Sequence, residues 1–347
     1  MNKKLISVAV TGALVAPGVM AEEHTRVVAY GRISNALEYR DVDGGEAEWD
    51  MANVSSRIGF KASADLGNGL TAHGHYEFQT FTVTKGTGIK DTRIGTVGLS
   101  GAWGGVDVGN QWSAFYNAVG DEIDPTFSLG YYLYSSLAGG PYRSSNTIKY
   151  ANTFGPVFLE LDVRPAHEDA DANTERQLGG EGGKDFLDGY GTGLRWAVTD
   201  ALTLAAAYDL QEEGTSTPNV NTGNTTRYGV SGRWNFGVIG VVLGWHKREI
   251  EVNGVPGTAD TEHFQGRLHG TVGERGSWML GYGQVEYGGN DPDTTKPTAI
   301  NMSYYHNVGG GYRLFYEGVF LDADLPGGAP PPFSDLSQHL FGMRFDF

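Results

Sequence analysis

His73-Gly74-His75 sets two imidazoles on one face of a strand. A metal would need a third ligand that the sequence does not supply, so the pair reads as polar residues on the wet face. Asp169-Ala170-Asp171-Ala172-Asn173 begins like a calcium loop. Its sixth position is Thr174 rather than Gly, and its twelfth is Gly180 rather than Glu, which excludes an EF-hand. The acidic loops still leave room for weak Ca2+ or Mg2+ binding, and no other cofactor is implied. Gly189-x-Gly191-x-Gly193 opens a strand, not a helix, so no helix N-terminus would meet a dinucleotide phosphate. No nucleophile motif accompanies the 9 histidines, and cysteine is absent. Nothing assembles a nucleophile, base and orienter, so an enzyme is not expected.

These residues sit on elements of one recurring kind. Period-2 segments bounded by Gly, Asn, Asp and Pro follow one another, while long 3.6-period stretches are missing. Sixteen are expected, starting near Thr25, Val54, Leu70, Asp91, Gly105, Ser145, Pro156, Asp188, Leu202, Thr225, Val238, Glu262, Gly276, Lys296, Gly311 and Asp335. In Ser55 to Ala62, Ile58, Phe60 and Ala62 share one face and Arg57, Gly59 and Lys61 the other. Short turns such as Leu66-Gly67-Asn68-Gly69 alternate with long polar connections at 40–50, 112–144, 165–187, 212–224, 251–261, 288–296 and 323–334.

Two architectures would use such strands, a soluble sandwich and a closed membrane barrel. Nearly every segment is two-faced, and none is an all-apolar core strand. Aromatics also gather near segment ends (Tyr30, Tyr39, Tyr76, Phe78, Trp103, Trp112, Tyr150, Tyr208, Trp234, Trp245, Tyr282, Tyr287), as interfacial girdles do. Lipid outside and water inside fits better, and closure satisfies every backbone group. The fold expected is all-β, a 16-stranded antiparallel transmembrane barrel.

The first residues agree with export. MNKKLISVAVTGALVAPGVMA has Lys3 and Lys4, an apolar run too short to span a bilayer, and small residues before Glu22. It is expected to be a signal peptide over 1–21, leaving a barrel domain over 22–347 in the outer membrane beyond the periplasm. Loss of two lysines and no acid takes the formal charge from −16 to −18. So acidic a chain is no partner for nucleic acid.

In order along the mature chain, VVAYGRISNALEY, SSRIGFKASADLGNGLTAHGHYEFQ, DTRIGTVGLSGAWGGVDVGNQWSAFY, SNTIKYANTFGPVFLELDV and the terminal FGMRFDF resemble the general diffusion porins of Gram-negative outer membranes. The resemblance implies a homotrimer of 16-stranded barrels. In each, the third long-side loop, about 112–145 here, folds inward and narrows the lumen. Small hydrophilic solutes and ions would cross passively between acids on the loop and bases on the wall. By the matching motifs the bases are Arg32, Arg57, Lys61, Arg93 and Arg143, and the loop acids are Asp121, Glu122 and Asp124. The loop reads DEIDPTFSLGYYLYSSLAGGP and lacks the Pro-Glu-Phe-Gly-Gly of the enterobacterial members; Tyr131, Tyr132 and Tyr134 are candidates to line or prop it.

The resemblance further makes Phe347 the label read by the barrel-assembly machinery, and lipid and lipopolysaccharide the partners of the outer wall. The connection near 84–90 is short where the family latches onto a neighbour, so a reduced latch is expected. Few lysines and many acids point to a general, mildly cation-preferring pore. The alternative is a substrate-specific sugar or anion channel, whose mark would be an aromatic slide or a lysine-rich throat.

Overall fold

The structure is a computed structural model that describes residues 25–84, 88–124, 128–130, 132–165, 177–178, 187–212, 214–217, 220–252, 256–289, 296–323 and 335–347. The leader at 1–21, the calcium-like stretch 169–173 and Tyr131 lie outside these described residues.

Among them, strands follow one another around a single closed sheet: β1 (Arg26–Val42), β2 (Glu48–Asn53 continued by Arg57–Gly67), β3 (Leu70–Thr80), β4 (Ile89–Gly101), β5 (Gly104–Trp112), β6 (Arg143–Phe154), β7 (Val157–Arg164) and β8 (Gly189–Ala197). The round continues with β9 (Leu202–Gln211), β10 (Val220–Phe236), β11 (Ile239–Val252), β12 (Thr258–Val272), β13 (Gly276–Gly289), β14 (Thr298–Gly309), β15 (Tyr312–Asp322) and β16 (Leu336–Asp346). Each runs antiparallel to its neighbour, and β16 returns to β1 with Arg32 opposite Asp346 and Val42 opposite Leu336. Closure leaves no edge, which hydrocarbon surroundings require. Phe347 completes it: its N–H donates to Gly31 O at 3.1 Å and its O accepts from Gly31 N at 2.9 Å. A side chain on Gly31 would collide with the Phe347 ring.

Alternation dictates the two faces. On β16, Phe341, Met343, Phe345 and Phe347 point out, between 40% and 57% exposed, while Arg344 on the other parity is 7% exposed. Leu243 and Val97 are 63% and 65% exposed. A sheet exposing so continuous an apolar face to water would aggregate; against lipid the same face is at home. Asn68, between Gly67 and Gly69, takes φ 52° in a turn where all three residues are left-handed.

Three details depart from the sequence expectation. β2 begins at Glu48, inside what reads as a connection, and is broken where Ser55 adopts φ 59°. There the Ser56 hydroxyl accepts from Ser34 N at 2.9 Å and donates to Ser34 O at 3.2 Å, standing in for the ladder. Tyr30, Trp112 and Tyr287 face inward rather than joining a girdle: Tyr30 bonds His75 and Glu77, Trp112 lines the lumen, and Tyr287 packs on a buried inner cluster. The inner wall is also not polar all round. Val285, Ala299, Val319, Leu321, Leu336 and Leu340 form a buried apolar arc on β13–β16.

Candidate functional site

That apolar arc is covered by the chain's own segment 113–142, between β5 and β6. The segment starts from a neck where Ser113 N donates to Tyr142 O at 2.9 Å. Ala114 N then donates to Asp162 of β7 at 2.8 Å, and the Asn117 amide to Glu160 at 3.0 Å. Arg195 of β8 donates to Ala118 O, and Arg233 of β10 and Arg267 of β12 hold Glu122 at 2.5 and 3.4 Å. On the far side, Ser128 N and Leu129 N donate to Glu317 of β15, and the Tyr132 hydroxyl donates to Gln338 of β16 at 2.6 Å. The return passes Thr261 of β12, which donates to Ala138 O, and Arg227 of β10, which donates to Gly139 O at 3.0 Å. All these wall residues lie on the parity opposite the exposed apolar row, so the segment lies along the inner face.

Two apolar anchors drive it there. Leu129, Tyr132, Leu133 and Leu137 pack on the β13–β16 arc, and Phe115, Ala118, Val119, Ile123 and Tyr134 pack against Ala205 and Ala207 of β9. Burying each such side chain contributes about 1.5–3 kcal/mol. Inward glycines give the backbone room. A Cβ on Gly244 would collide with Ile123, and one on Gly193 with the Ala114 carbonyl. Tyr132 and Tyr134 are fully buried and prop the segment rather than line the lumen.

The space left open is a cavity of about 1470 Å3. Arg32, Arg57, Arg93 and Arg143 line one side, and Asp121 and Asp124 line it from the segment. Glu122 does not line it, being buried against Arg233 and Arg267. Lys61 stands apart, exposed, with its ammonium 5.3 Å from the Tyr30 ring centre.

The sequence reading missed residues on both sides. Glu77 sits 6% exposed within the first arginine group, 2.8 Å from Arg93 and 3.4 Å from Arg57, and accepts from Tyr30 at 2.8 Å. Asp346 pairs Arg32 at 2.9 Å. A second arginine group, Arg195, Arg233 and Arg267, holds the loop acids: Asp121 stands 3.8 Å from Arg195, and Glu122 binds the other two. All three share the inward parity, the one signal that could have found them. Trp112 stacks on Tyr116 at 4.6 Å between centroids, and the Arg143 guanidinium lies 4.9 Å from its ring. Asp124 accepts from the Tyr116 hydroxyl at 3.2 Å. Desolvation pushes its carboxyl up to about 7, against the pull of the Tyr142 and Tyr116 hydroxyls and of Arg267.

His73 bonds Asp107 at 2.9 Å, and His75 bonds Tyr30 at 2.5 Å. Among the described residues no group of three His, Cys, Asp or Glu side chains is placed to hold a metal.

Comparison with known proteins agrees with this geometry. The sequence profile of the Gram-negative porin family matches residues 7–324. Outer membrane protein S2 of Salmonella typhi is 25% identical over 65% of this chain and 62% of its own length. Outer membrane protein U of Vibrio parahaemolyticus is 29% identical over 61% of this chain and 64% of its own. The chain thus spans a little under two thirds of the length of these two curated relatives. A monosaccharide porin of Halomonas is 26% identical over 82% of this chain and 78% of its own. Among solved structures, an anion-selective porin from Comamonas acidovorans superposes with a TM-score of 0.76 at 18% identity, over 93% of this chain and all of that one. OmpT of Vibrio cholerae in a trimer form gives 0.68 at 14% identity, over 93% of this chain and 99% of that one.

Proposed function

Because the chain belongs to the Gram-negative porin family and is an integral outer-membrane barrel, we propose that it forms a water-filled channel for passive diffusion of ions and small hydrophilic solutes. The observation that carries this is the cavity between an arginine wall and a segment laid along the inner face. Segment 113–142 is the constriction, and Arg32, Arg57, Arg93 and Arg143 face Asp121 and Asp124 across it. Lys61 belongs to the approach, not the throat.

Ion preference depends on which charges an ion meets. The formal charge of −16, or −18 once the expected leader is lost, argues for cations. Yet seven arginines line the cavity against three carboxylates, Asp121, Asp124 and Glu160. Glu77, Glu122 and Asp346 offset part of this from behind. Screening decides between the two. Charges beyond about 8 Å are largely screened at physiological salt, and beyond about 30 Å at ~0.01 M. The lining therefore governs at high salt, and the throat weakly prefers anions there. Cation preference emerges as salt is lowered and the acidic periphery becomes visible.

A sugar-selective channel is the less supported reading. At the throat, the faces of Trp112, on which a sugar ring would stack, are taken by Tyr116 and Arg143. An anion channel of stated specificity remains the second reading, favoured by the seven arginines and by the anion-selective porin of the same fold. Family membership supports the partner reading. Copies associate as a homotrimer, as OmpT does in its trimer form. Lipid and lipopolysaccharide surround the outer wall, and the assembly machinery reads the last strand through Phe347.

Purified protein in planar bilayers should give discrete conductance steps, with a reversal potential under a KCl gradient that moves toward cations as mean salt falls. Absence of steps overturns the channel reading. Cation preference at every salt overturns the basic throat, and saturation by one anion at low concentration favours the specific channel.

A further inference from the structure

We propose that four buried charges behind the constriction, Asp162, Arg164, Asp209 and Arg227, are positioning residues that fasten both roots of segment 113–142 and keep the aperture steady. The proposal rests on the channel reading above. None of the four lines the cavity. The Asp162, Arg164 and Asp209 side chains are 0% exposed and that of Arg227 is 12% exposed. They alternate in sign along one path. Arg164 Nη1 stands 3.8 Å from Asp162 and 2.6 Å from Asp209 Oδ2, and Asp209 Oδ1 stands 3.0 Å from Arg227 Nη1. Each end of the path grips the segment by its backbone. Asp162 Oδ2 accepts from Ala114 N at 2.8 Å, and Arg227 Nε donates to Gly139 O at 3.0 Å. Arg164 also reaches Ser144, where β6 resumes, at 3.4 Å.

The Gly-x-Gly-x-Gly track of β8 makes this path available. A Cβ on Gly189 would stand 2.8 Å from Arg164 Nε, and one on Gly191 3.0 Å from Asp162 Oδ1. One on Gly193 would collide with the Ala114 carbonyl. With three inward side chains missing, the β7 charges cross β8 to reach Asp209 on β9, and the root of the segment settles beside them. A motif that fails as a nucleotide site is thus the bed of the clamp.

Physics gives such a clamp a particular property. A buried run of alternating charges adds little net stability over an apolar filling, but displacing one member strands an uncompensated charge. It resists motion more than it favours folding. The two roots, far apart in sequence, are locked through one set of charges, and the segment between them cannot swing without breaking it.

The test compares wild type with Asp209→Asn and with Asp209→Asn/Arg227→Gln, which removes the two charges together. Each is purified as heat-modifiable protein and recorded in planar bilayers. The expected result is a several-fold rise in open-current variance, with sub-conductance flicker and closure at lower voltage. A tether then separates positioning from mere stability. In the Asp209→Asn background, Ile123→Cys with Gly244→Cys adds a disulfide between segment and wall, at sites whose Cβ positions are 3.5 Å apart once the Ile123 methyl that a Gly244 side chain would meet is gone. Oxidation should quieten the channel and reduction should restore the noise. Should Asp209→Asn not assemble, Arg227→Gln, which cuts the Gly139 end, takes its place. Wild-type variance and closing voltage in these variants, or noise indifferent to the tether, would overturn the clamp. A wild type that forms no channel overturns the channel reading instead.

Discussion

Asp124 is the residue whose environment is most at odds with its chemistry. Its carboxyl lines the cavity, yet desolvation by its surroundings pushes it up to about 7. Below that pH it is neutral and the throat is more basic; above it the segment gains a negative charge. Reversal potentials should therefore move toward cations as pH rises through about 7, and Asp124→Asn should abolish that step. A step of the same size in the variant would show that another group titrates. The wall arginines need a matched design. Glu77 is 6% exposed between Arg57 and Arg93, and stripping both cations would strand its charge at a cost of about 3–5 kcal/mol. The informative variant is Arg57→Ser/Glu77→Gln/Arg93→Ser, which should keep wild-type thermal stability and shift selectivity toward cations. An unchanged reversal potential would remove these arginines from the throat. The resemblance of short motifs to the family picks out Arg32, Arg57, Arg93 and Arg143, and all four line the cavity. Glu77 was missed because an inward acid on a strand has no local mark until its partners on β2 and β4 are known.

At the scale of elements, strand order and turns were readable because alternation is a local property. Leu70, Leu202 and Gly276 begin strands at the expected residues. The first three residues of Glu48–Asn53 fall in the connection expected at 40–50 because charges interrupt the pattern there, although Trp49 and Met51 keep the outward parity and are 61% and 51% exposed. The path of segment 113–142 was not readable. Its seat is distributed over β7 to β16, and no window of sequence contains both halves of a contact such as Glu122 with Arg267 or Tyr132 with Gln338. Inward glycines are the nearest thing to a sign. Gly244→Val would drive a side chain into Ile123, in a core where overpacking costs about 1–3 kcal/mol. The segment should lift off the wall, changing single-channel conductance while the barrel keeps its heat-modifiable migration. Wild-type conductance in Gly244→Val would mean that the segment does not set the aperture.

For the whole molecule, a closed sheet solves two problems at once. It hides every backbone group from lipid, and it offers an inner wall on which one segment can be laid to narrow the way through. The outward face is a lipid face, the inner face is divided between a segment-bearing arc and an arginine wall, and in the proposed reading the space between them is the route. The absence of cysteine permits a direct test of that claim. Asp121→Cys places one thiol at the cavity, where the side chain is 58% exposed, and Val97→Cys places one on the outer wall at 65% exposure. Single-channel current is recorded before and after a bulky, membrane-impermeant methanethiosulfonate reagent is added from the aqueous side. The account predicts a stepwise, reductant-reversible fall in current for Asp121→Cys and none for Val97→Cys; full current through a quantitatively modified Asp121→Cys channel would contradict it.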